Sequence, residues 1–205
     1  MIRSVLFICL LALSNLASAG DSVKHTILVV GDSISAAYGI EPEQGWVSLL
    51  SSKIAQQKNG YQVINASISG DLTNNGLNRL PNLLKKHQPT IVIIELGGND
   101  GLRGVPLKVI QRNLNKLVEQ SQASGARVLL AGMRIPPNYG VRYAEAFHQL
   151  YYKVAEENDI ELVPFILDGV GGNGALMQSD GIHPTAQAQT IILSHVWNGL
   201  QPMLN

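Results

Sequence analysis

Five short apolar runs, at residues 26–30, 61–65, 90–95, 127–131 and 160–163, punctuate the chain, and most are rich in β-branched residues. Runs of this length without polar alternation predict strands buried on both faces. Between them, apolar side chains recur at helical spacing. The stripes are Trp46, Leu49, Leu50 and Ile54; Leu77, Leu80, Leu83 and Leu84; Val109, Leu114, Leu117 and Val118; Phe147, Leu150, Tyr151 and Val154; and Ile191, Ile192, Val196 and Leu200. Each is read as the core-facing side of a helix. Pro81 predicts a kink or a boundary within the second of these helices. Strands alternating with helices imply an α/β fold with a parallel sheet covered on both faces. In such folds ligands sit beyond the carboxyl ends of the strands.

Composition sharpens this picture. Hydrophobic residues make up 45% of the 205 positions and charged residues 15%, enough apolar material for one folded domain and against disorder. Near the amino terminus, Arg3 precedes an apolar run at 5–13, and Ala17-Ser18-Ala19 follows. This is the pattern of a secretory signal peptide, with cleavage expected after Ala19. The run is too short for a spanning helix, which needs roughly 20 apolar residues. The expected organisation is a leader at 1–19 and a single domain at 20–205, periplasmic or secreted, with no integral membrane segment once processed.

Lys and Arg number 15 and Asp and Glu 15; the leader carries Arg3 and no acid, so the remainder is left with one net negative charge. That balance does not suggest a nucleic-acid partner. Cys9 is the single cysteine and lies in the leader. The processed chain therefore has no disulfide, thiol nucleophile or thiolate metal site. No His-x-x-x-His or cysteine pair exists, so no metal is expected.

The chemistry-bearing residues gather where the strands end. The first strand runs into Gly31-Asp32-Ser33-Ile34-Ser35, the second into Asn65-Ala66-Ser67-Ile68-Ser69-Gly70-Asp71, and the third into Gly97-Gly98-Asn99-Asp100. A late loop carries Ser179-Asp180-Gly181-Ile182-His183-Pro184. Singly, each reads as a turn, and His183 with Pro184 could simply open the last helix. Together they meet the needs of acyl transfer. Ser33 supplies a hydroxyl nucleophile, His183 a base with suitable affinity for its proton, and Asp180 a carboxylate to orient the imidazole. Asp180 and His183 are three residues apart, so a tight turn can aim both side chains one way. An oxyanion hole is expected from Ser33 N–H at a helix start, from Gly70 N–H, where the missing side chain permits close approach, and from the Asn99 amide, all converging on one point. Asp32, Asp71 and Asp100 are read as loop braces. His25, His87, His148 and His195 are assigned surface or helix-face positions. The Gly-x-Ser-x-Gly elbow of ordinary α/β-hydrolases is absent.

These four blocks, in this order, resemble the SGNH (GDSL-type) hydrolases, with Ile34 where the name-giving motif has Leu. The stretches 65–71 and 95–104, with Pro137-Asn138-Tyr139-Gly140, Arg142 and Tyr143, resemble the bacterial periplasmic thioesterase I, lysophospholipase and arylesterase branch. The resemblance implies a flavodoxin-like three-layer α/β/α sandwich with five parallel strands in the order 2-1-3-4-5. It implies a two-step reaction through an acyl-enzyme on Ser33, without metal or cofactor. The implied substrates are fatty acyl thioesters, aryl and alkyl esters and lysophospholipids, small molecules met by a monomer. Two alternatives stand beside it: an esterase removing acetyl groups from envelope carbohydrate, and a non-catalytic lipid-binding module. A nucleotide binder is disfavoured, since no Gly-x-x-x-x-Gly-Lys-Ser loop is present. The glycine-rich stretch from Asp168 through Gly169 to Gly174 is either an exposed connector or a loop that widens or covers the acyl groove.

Overall fold

The structure is a computed structural model that describes residues 25–57 and 60–204; the leader at 1–19, with Cys9, lies outside them. Five parallel strands form one sheet: β1 (His25–Gly31), β2 (Tyr61–Asn65), β3 (Ile91–Glu95), β4 (Arg127–Ala131) and β5 (Glu161–Val163), in the order β2-β1-β3-β4-β5. The order and the three layers are those implied by the sequence resemblance. The inner strands β1, β3 and β4 are the continuously apolar ones, and Ile27–Val30 and Ile91–Ile94 are fully buried. Such residues cannot sit at an edge without leaving apolar surface in water. The edge strand β2 instead exposes Gln62 and Asn65.

Helix α1 (Trp46–Gln57) packs with α6 (Gln189–Leu200) on one face. Helices α2 (Thr73–His87), α4 (Leu107–Ala123) and α5 (Val141–Asn158) lie side by side on the other. A short helix, α3 (Gly98–Leu102), follows β3. The predicted stripes are the buried faces, with Trp46, Phe147 and Tyr151 the largest fully buried side chains. Pro81 marks no boundary: α2 runs unbroken through it with Pro81 on the solvent side, where the missing N–H costs one exposed helical bond.

The sheet register brings the strand ends to one edge. Gly31 pairs with Glu95, Val29 with Asn65, and Ala131 with Val163. The loops after β1, β2 and β3 thus leave the sheet at the same level and side by side, which is where the candidate residues lie.

Candidate active site

Ser33 does not open a helix, contrary to the sequence expectation. It starts a run of tight turns at 33–39, held by Ala36 N–H donating to Asp32 O at 2.9 Å and Tyr38 N–H donating to Ser33 O at 3.0 Å. The first regular helix on this path begins at Trp46. Asp32 makes the turn: its Oδ1 accepts from Ile34 N–H at 3.1 Å, the local bond that draws Asp and Ser into turns and out of helices.

The Asp–His loop is built the same way. Gly181 N–H donates to Gln178 O at 2.9 Å, and Asp180 Oδ1 accepts from the N–H groups of Ile182 and His183 at 2.9 and 3.0 Å. These bonds turn both side chains one way, and His183 Nδ1 lies 2.6 Å from Asp180 Oδ2. His183 belongs to this loop and not to a helix, since α6 starts at Gln189. Its Nε2 lies 2.9 Å from Ser33 Oγ. The side-chain bond from His183 and then the two backbone bonds hold the Asp180 carboxyl down at about 2. Asp180 is therefore an acceptor at any ordinary pH, so Nδ1 carries the ring proton and Nε2 presents its lone pair to the Ser33 hydroxyl. That geometry can take a proton from Ser33 Oγ and return it to a leaving group. The ring of Tyr38 lies against the imidazole, centroids 4.4 Å apart.

Among the described residues no partner accepts from the N–H of Ser33 or of Gly70, so both main-chain donors are unspent. Gly70 holds φ +83° with nothing within 4 Å of where a Cβ would stand. Its glycine answers to backbone conformation, then, and not to crowding by the protein. The Asn99 amide is already engaged: Nδ2 donates to Asp32 Oδ2 at 3.0 Å and to Asp71 O at 3.2 Å. Asn99 thus ties the third block to the first and the second, and it must release one acceptor to serve a third.

The three acids expected as braces do bond to their loops. Asp32 holds the nucleophile turn. Asp71 pairs with Arg79 at 2.8 Å, and the same guanidinium donates to Ala66 O and to Gly31 O. Asp100 accepts from Thr73 N–H and Oγ1 at 2.8 and 2.7 Å, fastening the start of α2.

One acid escaped sequence reasoning. Glu95, the last residue of β3, is fully buried beneath the nucleophile turn. Its Oε2 accepts from Ser35 Oγ at 2.6 Å and from Asp32 N–H at 3.2 Å. Burial and then the Asp32 charge push its carboxyl well above the usual range, and burial pushes Asp32 up to about 6. The neutral acid is the form this environment favours. The only signal in the sequence was a carboxyl ending an otherwise apolar run.

The remaining histidines lie elsewhere. His148 lies on a helix face, as expected, and is buried there on α5, with Nδ1 3.4 Å from Met133 O and its ring edge-on to Tyr152. Burial, then Arg134, lowers its proton affinity. His148 and His195 line a cleft of about 450 Å³ with Arg134, Phe165 and Asp168, which contains none of the candidate site residues. The stretch after Asp168 is a series of exposed turns pinned by buried Val170. Among the described residues no cluster of three or more His, Cys, Asp or Glu is arranged to hold a metal ion.

A model of the GDSL-like lipase/acylhydrolase family matches residues 29–191. Esterase TesA of Pseudomonas aeruginosa is 52% identical over 184 residues, 90% of this chain and 92% of that protein. Thioesterase 1/protease 1/lysophospholipase L1 of Escherichia coli K12 is 43% identical over 199 residues, 97% of this chain and 92% of that protein. The crystal structure of TesA superposes with a TM-score of 0.86 at 53% identity, covering 88% of this chain and 100% of that one.

Proposed function

The chain belongs to the GDSL-like lipase/acylhydrolase family and is a serine ester hydrolase, and from that premise we propose that Ser33 is its nucleophile, His183 its base and Asp180 the group that orients the base. The observation that carries this reading is the continuous path from Ser33 Oγ to His183 Nε2 at 2.9 Å and from His183 Nδ1 to Asp180 Oδ2 at 2.6 Å. Ser33 Oγ attacks the acyl carbonyl carbon while His183 takes the hydroxyl proton. The carbonyl oxygen becomes an oxyanion, bound by Ser33 N–H, Gly70 N–H and the Asn99 amide, which exchanges one of its carboxylate or carbonyl acceptors for the new charge. His183 returns the proton to a leaving alkoxide; a leaving thiolate departs without it, and His183 gives that proton to solvent before the next step. Water then gives a proton to His183 as its oxygen adds to the acyl carbon, and His183 returns that proton to Ser33 Oγ as the bond to the acyl group breaks and the acid is released.

Substrates of the class are carboxylic esters and acyl thioesters, including lysophospholipids. Ile68, two residues before Gly70, and Ile182, beside His183, are both more than 40% exposed and offer an apolar rim suited to acyl or aryl groups. Residues 1–19 act as a cleaved leader, so the domain at 20–205 works in the periplasm or outside the cell. Among the described residues no helix is long and apolar enough to cross a membrane. Amino-terminal sequencing of the exported protein checks the cleavage after Ala19.

The test of the enzyme reading is kcat/KM on p-nitrophenyl esters from acetyl to palmitoyl chains, for residues 20–205 and for Ser33→Ala. Turnover on medium or long chains that disappears in Ser33→Ala is the expected result. Turnover confined to acetyl esters would move the assignment to a carbohydrate deacetylase, and turnover that survives in Ser33→Ala would remove Ser33 as nucleophile.

A further inference from the structure

Ser33 and His183 are separated by 150 positions in the chain, and the segments that carry them meet through more than the Oγ–Nε2 bond. The Asp–His loop is closed at its neck. Gln178 N–H donates to His183 O at 2.7 Å, Thr185 N–H donates to Leu176 O at 2.8 Å, and Met177 and Pro184 form an antiparallel bridge. From that neck the side chain of Gln178 reaches out of the loop. Its Nε2 donates to Tyr38 O at 2.8 Å and to Pro184 O at 3.0 Å. Tyr38 N–H in turn donates to Ser33 O. A closed circuit of hydrogen bonds therefore runs from the main chain of Ser33 through Tyr38 and Gln178 to the main chain of His183.

The fit is specific to an amide. Two carbonyl acceptors consume both Nε2 hydrogens, which fixes the orientation of the group; a flipped amide would set Oε1 against two carbonyl oxygens. A carboxylate would do the same with charge, and a thioether has no donor. Gly39 leaves the room: a Cβ there would stand 2.2 Å from Gln178 Oε1.

We infer that Gln178 is a positioning residue, which holds the base loop against the nucleophile turn and so keeps His183 Nε2 within hydrogen-bond reach of Ser33 Oγ; the inference rests on the assignment of those two residues above. Gln178 is only half-buried and touches none of the reacting atoms, so its loss should fall on the rate and spare the fold. A misplacement of about 1 Å at reacting groups can cost ~10²-fold in rate.

The test compares residues 20–205 with Gln178→Met, Gln178→Glu and Ser33→Ala, using steady-state kinetics on p-nitrophenyl butyrate, the rate of Ser33 phosphonylation by a fluorophosphonate, and thermal melting. Gln178→Met keeps the packing and removes both donors. It should lower kcat and the phosphonylation rate in parallel by roughly 10–100-fold, with KM and melting midpoint nearly unchanged; Gln178→Glu should lose at least as much. Wild-type kcat and phosphonylation in Gln178→Met would overturn the inference. So would a loss of rate that merely follows the unfolded fraction, since that describes a packing residue. If Ser33→Ala keeps its turnover, the nucleophile assignment itself has failed, a result separable from the others, and the inference falls with it.

Discussion

Two segments meet at the Ser33–His183 hydrogen bond, and each carries an aspartate whose environment drives it in the opposite direction. Asp32 is 2% exposed, set over buried Glu95, and burial raises its carboxyl to about 6. Asp180 lies on an exposed loop, and bonds from His183 and Ile182 lower its carboxyl to about 2. The nucleophile turn is thus braced from the core by desolvated acids. The base loop is held by its own backbone and by one amide from Gln178. Damage to the first segment should register in stability and in rate together, and damage to the second in rate almost alone.

The largest expected effect lies in the exposed loop. His183→Ala should lower kcat by about 10⁴-fold or more, while Asp180→Asn, which leaves a base with a disturbed tautomer, should be roughly 10–100-fold milder. Both should melt close to the wild type, because a half-exposed pair adds little to stability. Kinetics and melting on the same preparations check this. A large drop in melting midpoint for either variant would break the contrast between the two segments.

Asn99→Ala tests the seam where the blocks join. The loss of one oxyanion donor should lower kcat by about 10²–10³-fold. Asn99 also bridges Asp32 and Asp71, so a modest fall in melting midpoint should accompany it. Unchanged kcat in a folded variant would remove Asn99 from the oxyanion hole.

The smallest and most diagnostic effect is in the pH dependence of stability. Asp32 and Glu95 both have raised folded-state affinities for their protons, so each favours folding most at low pH. That contribution is lost as pH rises from the ordinary carboxylate range through the folded value, about 6 for Asp32. For Asp32 this is on the order of 3 kcal/mol as an upper figure. Melting midpoints should fall as pH rises from the ordinary carboxylate range through about 6, where Asp32 ionises, and fall further at higher pH as Glu95 ionises. Glu95→Gln, which keeps an oxygen for Ser35 and Asp32 N–H but cannot ionise, should flatten that fall. Asp180 has the reverse sign, but its contribution is lost only as pH falls toward 2, far below this window. A pH-independent midpoint in the wild type would show that the buried pair does not titrate there.

Much of this was readable without coordinates, for local reasons. The β1 and β3 runs are apolar throughout because both sides of an inner strand are buried, and that leaves a mark in the sequence. Asp180 and His183 could be paired because a three-residue offset with a small turn former is a local geometry. The helix start expected at Ser33 failed for an equally local reason, the Asp32 side chain outcompeting helical bonding to hold a turn. Glu95 was missed because a terminal carboxyl carries no sign of how deeply it is buried. His148 lies on a helix face as expected, but its depth was not legible, because a polar residue beside an apolar stripe can fall on either side of the burial boundary.

The sequence by itself determined the alternation of strands and helices, the apolar faces, and the residues that chemistry would require at the strand ends. These follow from side-chain periodicity and short-range bonding, which the order of residues contains. Only the tertiary structure decided that Ser33 and His183 close to 2.9 Å, that both hydrogens of Asn99 are engaged while two backbone donors stay unspent, and that Glu95 favours its neutral form. Those depend on distances between segments far apart in the chain and on the loss of water around charged groups, and both arise only when the layers pack.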